Sequence, residues 1–177
     1  MAAATGPGAT PLFIDTGALY ARFVATAQRH EQATAVFESI GDGTVPYRPL
    51  YTSTYVLDEL ATLILSHHDH EAATAAIERV RQSPTKVIHP YETAFDATCE
   101  QFARHDDRET SFIDHMSGVL ADGCGIEHVF TFDPVHFRTL GFVVVPAETG
   151  GGWFDATRLS ALLYSSNRAI TTSLTSS

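Results

Sequence analysis

The chain has 177 residues, 44% of them hydrophobic. This length is sufficient for one well-buried core and too short to favour two domains. No apolar run is long enough to span a membrane, and the start of the chain lacks the basic region and apolar core of a targeting signal. We therefore predict a cytoplasmic protein that does not enter membranes. The formal net charge of −10 argues against binding nucleic acid through a broad basic surface.

Five short apolar segments are predicted to be β-strands, with helices between them. The first covers residues 12–14. The second lies in a segment with two prolines, so we limit it to residues 50–52. The other three are the segment TKVIHP, residues 128–132 and residues 142–145. This alternation predicts an α/β fold, in which helices cover both faces of a parallel sheet in a three-layer α/β/α sandwich.

A flexible tail over residues 1–10 is predicted to precede a single domain at residues 11–147. Residues 148–177 are rich in glycine, serine and threonine and are predicted to be a linker and tail. Within them, the apolar residues around Trp153 and Leu162 are compatible with a short docked helix.

Four of the predicted helices and the two cysteines complete the outline. One helix runs from Thr16 to about residue 30, and a second follows it in HEQATAVFESIG. A third, STYVLDELATLILSHH, is apolar on most faces and should be buried. A fourth, YETAFDATCEQFARHDD, is predicted to turn Phe95 and Phe102 inward. Cys99 and Cys124 have no metal or redox spacing, so we expect two buried thiols.

Three aspartates lie where a parallel sheet usually binds its ligand. Asp15 ends the first predicted strand, and Asp133 ends the fourth. Asp114 lies in the first turn of the helix that leads into the fourth strand. Ligands of such sheets bind beyond the carboxyl ends of the strands, so Asp15 and Asp133 converge if strands one and four are neighbours. Two structural alternatives remain: a capping box of Ser111 with Asp114, and a helix N-cap at Asp133.

A fourth acid is predicted from helix geometry. Asp58 and Glu59 are adjacent, so they differ by about 100° around their helix. Glu59 lies on the apolar face with Tyr55 and Leu63, whereas Asp58 shares a stripe with threonines. A carboxylate on an apolar face is costly unless it has a partner, so Glu59 is the candidate for the site.

Four carboxylates without a matching lysine or arginine would repel one another strongly. A hard divalent cation with oxygen ligands, Mg²⁺ or Mn²⁺, would neutralise them. Such ions activate water and stabilise charge on a phosphoryl group. The acids therefore indicate phosphodiester hydrolysis, with Asp15, Glu59, Asp114 and Asp133 as metal ligands, directly or through water.

Three stretches of the chain, in order, resemble the motifs of the PIN-domain family: FIDTGALYA, STYVLDELATLI and TSFIDHMSGVLADGCGIEHVFTFDPVHFRTLGFVVVP. The family includes the VapC-type toxins of toxin–antitoxin pairs. The resemblance spans about residues 11–147 and implies a metal-dependent ribonuclease with a five-stranded sheet of order 3-2-1-4-5. It places the family's acids at Asp15, Glu59, Asp114 and Asp133, and its strand-end hydroxyl at Thr131. Thr131 would hydrogen-bond the substrate or a metal-bound water, or it is an ordinary strand threonine.

This resemblance leads us to expect an endoribonuclease toxin that forms a homodimer, acts on RNA and is blocked by an antitoxin whose basic side chain enters the acidic site. An RNA-processing nuclease without a toxin role is the alternative among enzymes. A non-catalytic RNA-binding PIN module is the alternative from another class.

Other functional classes fit the sequence less well. An aspartyl-phosphate phosphatase needs a second aspartate two residues after the nucleophile, where this chain has Gly17. No glycine-rich phosphate loop follows the first strand, so a nucleotide-binding Rossmann domain lacks its fingerprint. The cluster of His67, His68, Asp69 and His70 looks like a zinc site but fits a solvated helix end better.

Overall fold

A computed structural model of the protein describes residues 8–104 and 110–146. The strands are β1 (Thr10–Ile14), β2 (Tyr47–Ser53), β3 (Lys86–Ile88), β4 (His128–Phe130) and β5 (Val143–Val145). The helices are α1 (Thr16–Phe23), α2 (His30–Gly41), α3 (Thr54–His67), α4 (His70–Gln82), α5 (Glu92–Arg104), α6 (Phe112–Gly123) and α7 (Pro134–Thr139). The predicted C-terminal tail and its docked helix lie outside the described residues.

The five strands form one parallel sheet in the order β3-β2-β1-β4-β5, which confirms the predicted fold. Strand β1 is central, and its Leu12, Phe13 and Ile14 are fully buried. Successive side chains of a strand point to opposite faces, so burial of all three means that both faces of the sheet are covered. In the β1–β4 pair, Ile14 is opposite Phe130. The residues that follow them, Asp15 and Thr131, therefore leave the sheet side by side.

The predicted extent of the first helix, to about residue 30, was wrong, because α1 ends at Phe23. The predicted second helix, HEQATAVFESIG, coincides with α2. Two side chains join the helices across the break between them. The His30 ring contacts the carbonyl oxygen of Ala21 at 2.8 Å, and Arg22 donates to the Thr34 hydroxyl at 3.0 Å. The first contact satisfies a carbonyl near the end of α1, which continuation of the helix would otherwise have satisfied.

Strand β2 is longer than predicted, because the fold accommodates Pro49 within it. The pairing with β1 shifts by one residue here: Tyr47 is opposite Thr10, but Leu50 is opposite Leu12. The extra residue of β2 falls at this irregularity. Proline is tolerated at such a position because the regular ladder hydrogen bond is already interrupted there.

The predictions that the two cysteines are buried and that Phe95 and Phe102 point inward were also wrong. Helix α5 buries Ala94 and Thr98, and Phe95 and Cys99 each follow one of these by a single position. A step of one residue turns a side chain by about 100°, which carries both out of the interface. The Phe95 and Phe102 rings instead contact Phe112 near the surface. Cys124 is exposed at the end of α6.

Candidate active site

The site is centred on Asp15, which is only 6% exposed at the carboxyl end of β1. Its backbone N–H donates to the carbonyl of Phe130 at 3.0 Å, which continues the β1–β4 pairing by one residue. One of its carboxylate oxygens, Oδ2, accepts a hydrogen bond of 2.9 Å from the buried Thr131 hydroxyl. The central strand and its neighbour therefore fix the position of this carboxylate.

Burial raises the pKa of Asp15 from 3.8 to about 7. The Thr131 hydrogen bond opposes this effect, and the negative charge of Asp114 reinforces it. A hydrogen bond from the backbone of Thr16 and the charge of Glu59 act more weakly, the first lowering and the second raising the pKa. The two charges named here, those of Asp114 and Glu59, are both negative. Near neutral pH this carboxyl group is therefore poorly stabilised as an anion.

The Thr131 hydroxyl also connects Asp15 to Asp133. It accepts a hydrogen bond from the Asp133 backbone N–H at 3.0 Å and lies 3.3 Å from the Asp133 carbonyl oxygen. The Asp133 carboxylate is exposed and makes no cap hydrogen bond, although the residue stands at the N-cap position of α7. The structure therefore does not support the alternative that the Asp133 side chain caps α7. Asp133 is held at the site by its backbone.

Asp114 has a structural role as well as a place in the site. Its Oδ2 accepts hydrogen bonds from the backbone N–H and the hydroxyl of Ser111, at 2.8 and 2.7 Å. Its own backbone N–H donates to the Ser111 hydroxyl at 3.2 Å, so the two residues form a capping box at the start of α6. The capping-box alternative is confirmed, and the same carboxylate acts on Asp15. A cap therefore does not exclude a functional role.

Asp58 and Glu59 differ in exposure in α3, in the predicted direction. Asp58 is exposed, whereas Glu59 is half-buried and its charge raises the pKa of Asp15. Glu59 is less buried than predicted. The structure therefore brings Asp15, Asp114, Glu59 and Thr131 together, and places the Asp133 backbone against Thr131.

The donor set of this site fits a hard divalent cation, because it consists of carboxylate oxygens with no compensating positive charge among the groups shown to act on Asp15. Within residues 8–104 and 110–146, however, no three Asp, Glu, His or Cys side chains are arranged to hold an ion as they stand. The capping box turns Asp114 Oδ2 towards Ser111, and the Asp133 side chain is exposed. A bound ion would therefore require at least one of these side chains to reorient, or water to bridge the gap.

The histidine-rich cluster between α3 and α4 is exposed, and Asp69 caps α4 by accepting a 2.8 Å hydrogen bond from Ala72. It is the solvated helix end that we predicted. None of the described helices is long and apolar enough to cross a membrane.

One contact of the segment that carries Thr131 and Asp133 had no signal in the sequence. The guanidinium carbon of Arg29 lies 5.7 Å from the centre of the Phe132 ring, and Phe132 stands between Thr131 and Asp133. These residues are about a hundred positions apart, and only the folded arrangement brings the start of α2 to this segment.

A sequence profile of the PIN domain matches residues 12–143. The match runs from within β1 to the first residue of β5 and includes all four acids and Thr131. The chain therefore belongs to the PIN-domain family.

Its relatives include the 23S rRNA-specific endonuclease VapC20 of Mycobacterium tuberculosis, which is 32% identical over 139 residues, covering 77% of this chain and 99% of the relative. The crystal structure of that protein, described as a Sarcin-Ricin loop cleaving toxin, matches with a TM-score of 0.65 and 30% identity over 75% of this chain and 96% of the other. The structure of FitAcB from Neisseria gonorrhoeae is 17% identical, with a TM-score of 0.55 over 75% of this chain and 95% of the other. This last likeness is one of fold.

The raised pKa of Asp15 predicts a pH-dependent stability of the metal-free protein. Between the unfolded value of 3.8 and the folded value of about 7, the native state binds more protons at this position than the unfolded state. The free energy of unfolding should therefore fall as the pH rises through this window, by on the order of 4 kcal/mol at most, and level off above it. Denaturant titrations in chelator should show this fall in the wild type.

The Asp15→Asn variant is the control, since groups that do not interact with Asp15 titrate alike in both proteins. The stability difference between variant and wild type should grow in favour of the variant from about pH 4 to about pH 7. A difference that is independent of pH would contradict the assignment of a perturbed pKa to Asp15.

Proposed function

We propose that this protein is an endoribonuclease that hydrolyses phosphodiester bonds in RNA with the aid of Mg²⁺ or Mn²⁺. The observation that carries the proposal is the buried Asp15 carboxyl group, held by Thr131 and flanked by two further acids, in a PIN-domain chain. The 32% identity with a 23S rRNA-specific endonuclease supports RNA as the substrate class. Ribosomal RNA is accordingly the first substrate to test, and the proposal places the protein in the cytoplasm.

Asp15, Glu59, Asp114 and Asp133 would hold the metal, directly or through water. A bound ion of this kind lowers the pKa of water and stabilises the charge that develops on a phosphoryl group. Thr131 donates to Asp15 Oδ2 and accepts from the Asp133 backbone N–H, so one hydroxyl links the Asp15 carboxylate to the backbone of Asp133. Glu59 faces the site from α3 and would complete the ligand set or orient the attacking water.

We further propose that the protein acts as a toxin whose activity an antitoxin restrains. The support is the similarity to VapC20, whose structure is described as that of a toxin. A basic side chain of the antitoxin would neutralise the excess negative charge around Asp15 and so compete with metal and RNA. A homodimer is part of the same proposal and rests on the family resemblance.

The first test is cleavage of total RNA with Mg²⁺, Mn²⁺ or chelator, using wild type and Asp114→Asn. We expect cleavage by the wild type only when metal is present, and loss of at least about a hundredfold in the variant, because a proposed ligand is neutralised. Asn retains an oxygen that accepts the hydrogen bond from the Ser111 backbone, so the start of α6 should survive.

Circular dichroism should show that the Asp114→Asn variant is folded. Cleavage near the wild-type rate in this variant would mean that Asp114 is only a cap. Wild-type cleavage that is unaffected by chelator would refute the metal dependence.

The adjacent acids of α3 provide a second test. Glu59→Gln should reduce the cleavage rate at least about tenfold at saturating Mn²⁺, because Glu59 is half-buried and acts electrostatically on Asp15. Asp58→Asn should stay within about twofold of the wild type, because Asp58 is exposed.

Both substitutions remove one negative charge from neighbouring positions of one helix, so a general effect of net charge would act on them equally. A larger loss in Asp58→Asn than in Glu59→Gln would show that α3 presents the other acid to the site.

A further inference from the structure

Helices α6 and α7 carry two of the four acids and pack against each other. Asp114 lies in the first turn of α6, and Asp133 is the N-cap residue of α7. The centres of the His115 and His136 rings are 4.8 Å apart. These histidines belong to the first turns of α6 and α7, so the two helices touch close to where they begin.

A second contact joins the two helices further along. Gly118 follows His115 by three residues in α6, and Leu140 follows His136 by four at the end of α7. A Cβ atom added at Gly118 would lie 2.8 Å from Leu140 Cδ1 and 3.7 Å from Phe142 Cε2. The Gly118 backbone is therefore packed directly against the end of α7 and the residues that lead into β5.

The two contacts define how the helices are oriented. Between the first contact and the second, each helix advances by about one turn. Helices α6 and α7 therefore run in the same direction and begin at the same end of their interface. Asp114 and Asp133 lie at that end, so the packing of the helices brings the two segments that carry these acids together.

The close approach at the second contact requires glycine. Non-bonded carbon atoms in contact are about 3.5–4.0 Å apart, so any Cβ at the buried Gly118 would overlap Leu140. Relief of this overlap needs a shift of about 0.7 Å or more between the helices or within the Leu140 side chain. Because that side chain can take up part of the shift, a larger substituent should have the larger effect.

We propose that Gly118 is a positioning residue of the acidic site. Its lack of a side chain sets how closely α7 packs on α6, and so holds the start of α7, with Asp133, beside the start of α6, with Asp114. This inference rests on the proposed metal-dependent ribonuclease function and deepens it, because it identifies the packing that brings proposed ligands from two helices to one ion. Sites of this kind tolerate displacements of only about 0.5 Å, which is less than the shift that a side chain at Gly118 demands.

The experiment compares full-length wild type, Gly118→Ala and Gly118→Val. We would measure RNA cleavage as a function of Mn²⁺ concentration and, without RNA, the rise of the thermal midpoint caused by Mn²⁺. The Mn²⁺ concentration for half-maximal cleavage should increase about tenfold in Gly118→Ala and further in Gly118→Val, because residues that orient metal ligands affect affinity on this scale. The stabilisation by Mn²⁺ should weaken in the same order, and circular dichroism should show that the variants are folded.

Gly123 provides a matched control in the same helix. A Cβ atom at Gly123 would lie 2.7 Å from Tyr91 Oη, so an alanine there meets a comparable overlap. Gly123 is the last residue of α6, and Tyr91 precedes α5, which carries none of the proposed ligands. Gly123→Ala should therefore keep the Mn²⁺ dependence within about twofold of the wild type.

A second substitution tests the contact itself. Leu140→Ala removes the atom that a methyl group at Gly118 would overlap. Combined with Gly118→Ala, it should return the Mn²⁺ dependence to within about threefold of Leu140→Ala alone, which two independent losses of stability would not do.

Three results would overturn the inference and leave the ribonuclease function standing. They are wild-type Mn²⁺ dependence in every folded Gly118 variant, equal losses in Gly118→Ala and Gly123→Ala, and no recovery in the double variant. A wild type that neither binds Mn²⁺ nor cleaves RNA would overturn both the inference and the function.

Discussion

The hydrogen bond from the Thr131 hydroxyl to the Asp15 carboxylate is the contact on which the site depends. It exists because β1 and β4 are parallel neighbours whose ends are in register, with Ile14 opposite Phe130. The Asp15 backbone extends that pairing to the carbonyl of Phe130, and the Thr131 hydroxyl reaches on to the Asp133 backbone. The central pairing of the fold therefore positions the Asp15 carboxylate relative to the Asp133 backbone. A change in strand order would dismantle the site even if every acid were retained.

The ionised form of Asp15, which accepts this hydrogen bond, is electrostatically unfavourable. Burial and the charges of Asp114 and Glu59 disfavour ionisation of Asp15, and hydrogen bonds from Thr131 and Thr16 only partly compensate. Stability alone would favour a neutral side chain at this position. The divalent ion that we propose would favour the charged form of this carboxyl group. Asp114 has two opposed effects. Its capping box stabilises α6, whereas its negative charge disfavours the ionised form of Asp15.

The sequence predicted the sheet order, through the family resemblance, and the place of the acids, because apolar runs and their end residues are local signals. The choice of Glu59 over Asp58 followed from helix geometry alone. The errors arose where tertiary contacts decide: the break after α1 depends on His30 reaching the carbonyl of Ala21, and the length of β2 depends on a shift in pairing near Pro49. No local sequence pattern predicts the contact between Arg29 and Phe132, because it joins segments that are distant in the chain.

Asp15 is a buried carboxyl group that we propose binds a cation, and its own titration tests this proposal most directly. Carbon-13 NMR of the aspartate carboxyl groups, assigned with Asp15→Asn, can follow its ionisation with and without Mg²⁺. We expect a pKa near 7 in the metal-free protein and a large decrease when Mg²⁺ is added, because the ion favours the charged form. A pKa close to 3.8 that does not respond to Mg²⁺ would contradict the account.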